Sequence, residues 1–234
     1  MKATKALTFD YQVTRSKRKT VAIHIRHNQV EVRAPFRVPN YFINNFVCQK
    51  ESWVLKQLAK QQQRAAEVFS IENHAKIPFL GKAKILNFQT AAQNKVFLDK
   101  DHLVIQGKNL NQAGNNNAAK QLFSNWLKKQ AKNHMVPSTE ALVNKLNLSD
   151  RLKAVRFRKT KSKWGHCSAQ GIIQFNWLIM MAPESVVDYL IAHEVCHLVH
   201  MNHSAEYHAL LASVCDDYQE SRLWLRQNEH RFLF

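Results

Sequence analysis

Four histidines fall within eleven residues, His193 to His203, in the stretch AHEVCHLVHMNH (192–203). The first two, with Glu194 between them, read HExxH. On a helix, positions i and i+4 share one face a turn apart, so two imidazoles there can grip a single divalent ion. A glutamate beside the first ligand can reach a water on that ion and act as general base. The implied chemistry is metal-assisted hydrolysis, with His193 and His197 as ligands to Zn²⁺ and Glu194 as the proton acceptor.

A catalytic zinc usually takes a third protein ligand and keeps a fourth position open. His200, His203 and His208 compete for that role. An unbroken helix would put His200 on the ligand face but about 10 Å further along the axis, too far for one ion to bridge. His208 lies a turn beyond His203 and suits packing or a helix surface better. His203 can join if the helix stops and the chain folds back. Met201-Asn202 permits this, because Asn tolerates the left-handed conformation that ends helices. The spacing HExxHxxxxxH therefore favours His203.

The elements that must position these residues can be read from periodicity. TVAIHIR (20–26) and QVEVRA (29–34) alternate and are joined by His27-Asn28, a hairpin signal. Helical spacing of Phe42, Phe46, Trp53 and Leu58 predicts a long helix from Asn40 to about Phe69. IPFLGKAKILNF, KVFLD and HLVIQ (77–106) read as short strands. The polar stretch 107–120 reads as a flexible connection. A helix is expected from Ala118 to Met135, and Pro137-Ser138 should open a further short helix to Leu146. LKAVRFR (152–158) and IIQFNWLIM (172–180) read as strands around a loop that contains WGHC (164–167). Pro183 and Glu184 suit the first turn of the histidine helix, and two more helices should follow. The sum is α+β: one domain over 1–234, with a β-rich basic N-terminal part (1–106), the connection (107–120), and a mainly helical catalytic part (121–234) carrying HExxH on a helix.

Charge is divided unevenly along the chain. The net charge is +17, yet residues 1–165 hold 31 Lys and Arg against 9 Asp and Glu, while residues 166–234 hold 3 against 8. The basic part could attract nucleic acid or another polyanion, or could simply keep the protein in solution. Arg15, Lys17, Arg18 and Lys19, and Arg156, Arg158, Lys159, Lys161 and Lys163, are the candidate phosphate contacts. Cys48, Cys167, Cys196 and Cys215 are scattered and form no CxxC pair, which reads as reduced thiols. No apolar run approaches a membrane span, and the N-terminus lacks a signal-peptide core, so the expected location is cytoplasmic, without a membrane partner.

Several separated segments also resemble one family. KSKWGHCSAQGIIQFNWLIMMAP (161–183), VVDYLIAHEVCHLVHMNHSAEYHALL (186–211), SKRKTVAIHIRHNQVEVRAP (16–35) and FLGKAKIL (79–86) are similar to the YgjP-like metallopeptidases, relatives of the SprT-like and WLM zincins. The resemblance implies a zincin-like fold, a zinc ion and peptidase activity. It also implies that the histidine of the Asn-His-Ser triplet, His203 here, is the third ligand. Two positions depart from the family pattern: His166 replaces a serine, and Tyr207-His208 replaces an aromatic pair. Neither departure alters His193, Glu194, His197 or His203.

The reading is a zinc-dependent peptidase acting on peptide or protein. Two rivals stand beside it. A metal-dependent nuclease could use three histidines at this spacing, but would have no need of Glu194. A non-enzymatic nucleic-acid-binding module with a structural zinc would be expected to close the metal with four ligands, often cysteines.

Overall fold

Alternation in VEVRA buries every second side chain of one strand, and the N-terminal unit is built on that face. The structure, a computed structural model, describes residues 7–108, 110, 116–160 and 162–232. Part of the expected connection over 107–120, and Lys161 of the second basic cluster, lie outside the described residues. The chain divides into two compact units, Met1–Val68 and Phe69–Phe234.

In the first unit, β1 (Tyr11–Ser16), β2 (Ala22–Arg26) and β3 (Gln29–Pro35) form a sheet in the order β1-β3-β2. β2 and β3 are the expected hairpin. Positive φ at His27 (49°) and Asn28 (59°) is the backbone a tight type I′ connection requires. β1, which the sequence reading did not include, pairs in parallel with β3. Its mostly exposed residues carry no alternation to reveal it. Val32 and Ala34 pack with Ile43 and Val47 of α1 (Asn40–Gln49). The single long helix expected from Asn40 is two helices, because Lys50 (φ −103°, ψ 6°) separates α1 from α2 (Glu51–Ala66). Arg15 has an internal role. Its guanidinium donates to the carbonyls of Pro35, Phe36 and Val38 and to Asn40 Oδ1, tying β1 to the start of α1.

In the second unit, β4 (Lys76–Phe79), β5 (Lys82–Thr90), β6 (Lys95–Asp99) and β7 (His102–Gly107) form a sheet in the order β4-β5-β7-β6. Its buried Leu86, Leu103 and Ile105 share a core with Phe123, Leu127 and Ala131 of α3 (Asn116–Lys145). α3 continues through Pro137, so the expected break there does not occur. Proline removes one backbone donor, but buried Met135 and Thr139 hold both sides in the packed core. The hydroxyls of Ser138 and Thr139 add bonds to the carbonyls of His134 and Met135.

A second sheet, β8 (Ala154–Phe157), β9 (Gly165–Cys167) and β10 (Ile172–Phe175), runs in the order β8-β10-β9. The expected strand 172–180 ends at Phe175. Asn176 Oδ1 accepts from Leu178 N and starts a 3-10 helix over Trp177–Met181. A continuous apolar run does not separate a buried strand from a buried helix, so periodicity could not place this switch. Three helices follow: α4 (Glu184–Cys196), α5 (Ala205–Val214) and α6 (Tyr218–Asn228). α4 is buried on nearly all sides, with Val187, Leu190, Ile191 and Val195 in the core.

The coarse α+β architecture, β-rich first and helical later, is present. The expectation of a zincin-like helix carrying all of HExxH is corrected. α4 stops at Cys196, and His197 (φ −69°, ψ −14°) is its C-cap. The group able to hold a metal is a cluster of three histidines drawn from the helix, its cap and the segment beyond. The chain leaves the helix through tight backbone bonds from Leu198 N to Val195 O and Val199 N to Cys196 O. Arg151 Nη1 donates to Leu198 O across the same end.

Candidate metal centre

His193 lies in the last turn of α4, and its ring is held from behind. Tyr207 is fully buried, and its hydroxyl lies 2.7 Å from His193 Nδ1 and 3.2 Å from His193 O. With the single phenolic proton donated to that carbonyl, the oxygen accepts from Nδ1–H, and the Nε2 lone pair of His193 faces outward. His197 is fixed in the same manner. Its Nδ1–H donates to the carbonyl of His200 at 2.9 Å, closing the turn that ends α4. The same turn brings His203 back, one residue before Ser204. Ser204 caps α5 by accepting from Tyr207 N, which sets the direction of Tyr207. His193 and His197 therefore owe their orientation to the chain following the helix, in the way outer partners orient metal-ligating histidines.

The three rings converge. One ligand atom from each of His193, His197 and His203 lies within 4.8 Å of the others, and no other such group occurs among the described residues. His193 Nε2 and His203 Nε2 are 3.4 Å apart. Neighbouring nitrogens at tetrahedral zinc, each about 2.0–2.1 Å from the ion, stand roughly 3.3 Å apart, so the spacing suits a shared cation. Burial and the neighbouring His197 and His203 push His193 down to about 3. Burial, followed by His197, also lowers His203. Both rings thus keep the neutral form that ligation needs.

Glu194 is not a member of the cluster. It is 3% exposed, and its Oε2 finds no hydrogen-bond partner among the described residues. Burial pushes its carboxyl up to about 8, with Lys163 opposing. Its room comes from Gly165 on β9. A Cβ at that position would collide with Oε1, Cδ and Cγ of Glu194. The sequence pattern marks the WGHC loop but not this contact. A glycine at a strand start, marking close approach of another group, was the available signal.

Strand parity sorts the remaining candidates. His166 alternates with Gly165 and Cys167, is exposed, and does not join the cluster. Trp164 closes its loop by donating to Glu229 Oε2 and setting its ring edge against Phe232. Cys196 is buried, its thiol pushed up to about 12 by desolvation, which suits packing over redox chemistry. All four cysteines are unpaired. His200 contributes its carbonyl to His197, and its imidazole stays out of the cluster. His208 also stays outside the cluster and stacks on Tyr218. Tyr207 is a buried partner of His193.

Residues 19–228 match the family model for the YgjP-like metallopeptidase domain, and the chain belongs to that family. No curated protein matches the sequence. Family membership and the three-histidine cluster together place the chain among the metal-dependent hydrolases. Among the described residues, no helix is long and apolar enough to cross a membrane.

Proposed function

We propose that the protein is a zinc-dependent peptidase, with His193, His197 and His203 as the metal ligands and Glu194 as general base. The observation that carries this reading is a buried carboxyl group with an unsatisfied oxygen, next in sequence to a cluster of three imidazoles. Zinc bound there would supply Lewis acidity, polarising a carbonyl and lowering the pKa of water from 15.7 toward about 7. The chain supplies the rest. Glu194, kept ionised once a cation is bound nearby, accepts a proton at Oε2 from the attacking water and returns it to the leaving amine nitrogen. Gly165 leaves space for that carboxylate, and Tyr207 and the His200 carbonyl hold two of the rings in their ligating tautomers.

A glutamate able to shuttle a proton to an amine favours peptide over phosphodiester hydrolysis. A structural zinc would leave that carboxylate without a task. The test is Glu194→Gln. Metal content should stay at that of the wild type, because Glu194 is not a ligand, while peptide hydrolysis should fall about 10²–10⁴-fold. Undiminished turnover of a verified peptide by the variant would exclude the assignment.

A further inference from the structure

A pocket of about 230 Å³ opens beside the cluster, lined by His193, His203, Leu211, Tyr218 and Arg222 of α6 among others. Arg222 stands out against its surroundings. It is one of only 3 basic residues in 166–234, a segment with 8 acidic ones. Its side chain is exposed, and among the described residues no carboxylate lies within ion-pairing distance of its guanidinium. Its positive charge acts on His193, His203, Tyr189 and Tyr207, the groups around the pocket. In an acidic segment, a guanidinium that lines a pocket with no ion-pair partner among the described residues is unlike the many basic residues of the N-terminal half. Its planar donor fork matches a carboxylate and can hold it by two parallel bonds.

We propose that this pocket is a substrate subsite in which Arg222 binds a peptide carboxylate close to the scissile bond, making Arg222 a specificity-determining residue. The inference rests on the peptidase reading and adds its substrate class. The carboxylate can be a free C-terminus or an acidic side chain. Leu211 and the tyrosine rings would contact the methylene groups that carry it.

The test uses the zinc-loaded full chain and calorimetric titration with two pairs of short hydroxamates, which bind zinc without being cleaved. One pair carries either a free C-terminal carboxylate or its amide. The other has an amidated C-terminus and carries either a glutamate side chain or glutamine. At least one charged probe should bind about tenfold more tightly than its amide, and the pair that shows the preference identifies the source. Arg222→Gln should erase the preference within that pair. Arg222→Lys should retain part of it. Equal binding within each pair, or a preference that survives Arg222→Gln, overturns the pocket alone. Hydroxamates that fail to bind in any form overturn the metal centre, and the pocket with it.

Discussion

The two halves of the candidate site are built differently. His193, Glu194 and His197 come from the end of a helix buried in the core, and the outer nitrogens of both rings are tied to Tyr207 and the His200 carbonyl. His203 is exposed, follows a turn, and meets the others chiefly through its own ring. The first half is oriented by the fold, whereas the second is delivered by a short segment of backbone. The cluster therefore has a buried side, which also fixes Glu194, and an exposed side at His203. The contrast predicts that changes behind the buried half act through geometry, and changes in the exposed half act through ligand number.

The largest effect on the buried side should come from Gly165→Ala. The new methyl displaces Glu194. Misplacing a reacting group by about 1 Å can lower turnover about 10²-fold, and overpacking costs roughly 1–3 kcal/mol. Metal content should be unaffected. Peptide turnover, denaturant titration and metal analysis of the variant check this together, and full activity would show that the carboxylate needs no such space.

Tyr207→Phe should come next. Losing the hydroxyl behind His193 should weaken metal binding about 10–100-fold, the usual range for outer partners of ligating histidines. A competition titration against a chelator measures it. Affinity equal to wild type would mean that packing alone orients His193.

A smaller effect concerns pH and the metal-stripped protein. Glu194 is raised from 4.5 to about 8 on folding. Between those values the folded state keeps a proton that the unfolded state has lost, so stability falls as pH rises through that window. His193, lowered from 6.5 to about 3, acts in the opposite sense: the folded state releases a proton that the unfolded state retains, so stability rises with pH across that range. Above 6.5 only the Glu194 contribution of this pair remains. Denaturant unfolding of the stripped wild type should therefore show a loss of stability between pH 6.5 and 8 that Glu194→Gln lacks. Parallel curves for the two proteins would mean that Glu194 is not desolvated in solution.

The sequence shows some of this arrangement and hides the rest, for physical reasons. Helical spacing of His193 and His197, and a turn-permitting Asn202 before His203, made these rings candidates, and the structure brings all three together. The end of α4 at Cys196 was not legible, because a side-chain bond from His197 to the His200 carbonyl helps to shape it, and residue patterns do not encode that partner. The Gly165–Glu194 fit and the Tyr207–His193 bond join residues far apart in sequence. The hairpin over 22–35 was readable from alternation and its turn. β1 was not, since an exposed strand held by backbone pairing carries no apolar signature.

The most direct test of the account is metal content measured by elemental analysis on wild type, His203→Ala and His200→Ala, purified in parallel with equal zinc. Wild type and His200→Ala should each carry about one zinc per chain, because His200 acts through its backbone carbonyl. His203→Ala should lose most of it, because two imidazoles alone make a weak site. Zinc retained in His203→Ala but lost in His200→Ala would contradict the three-histidine centre described above.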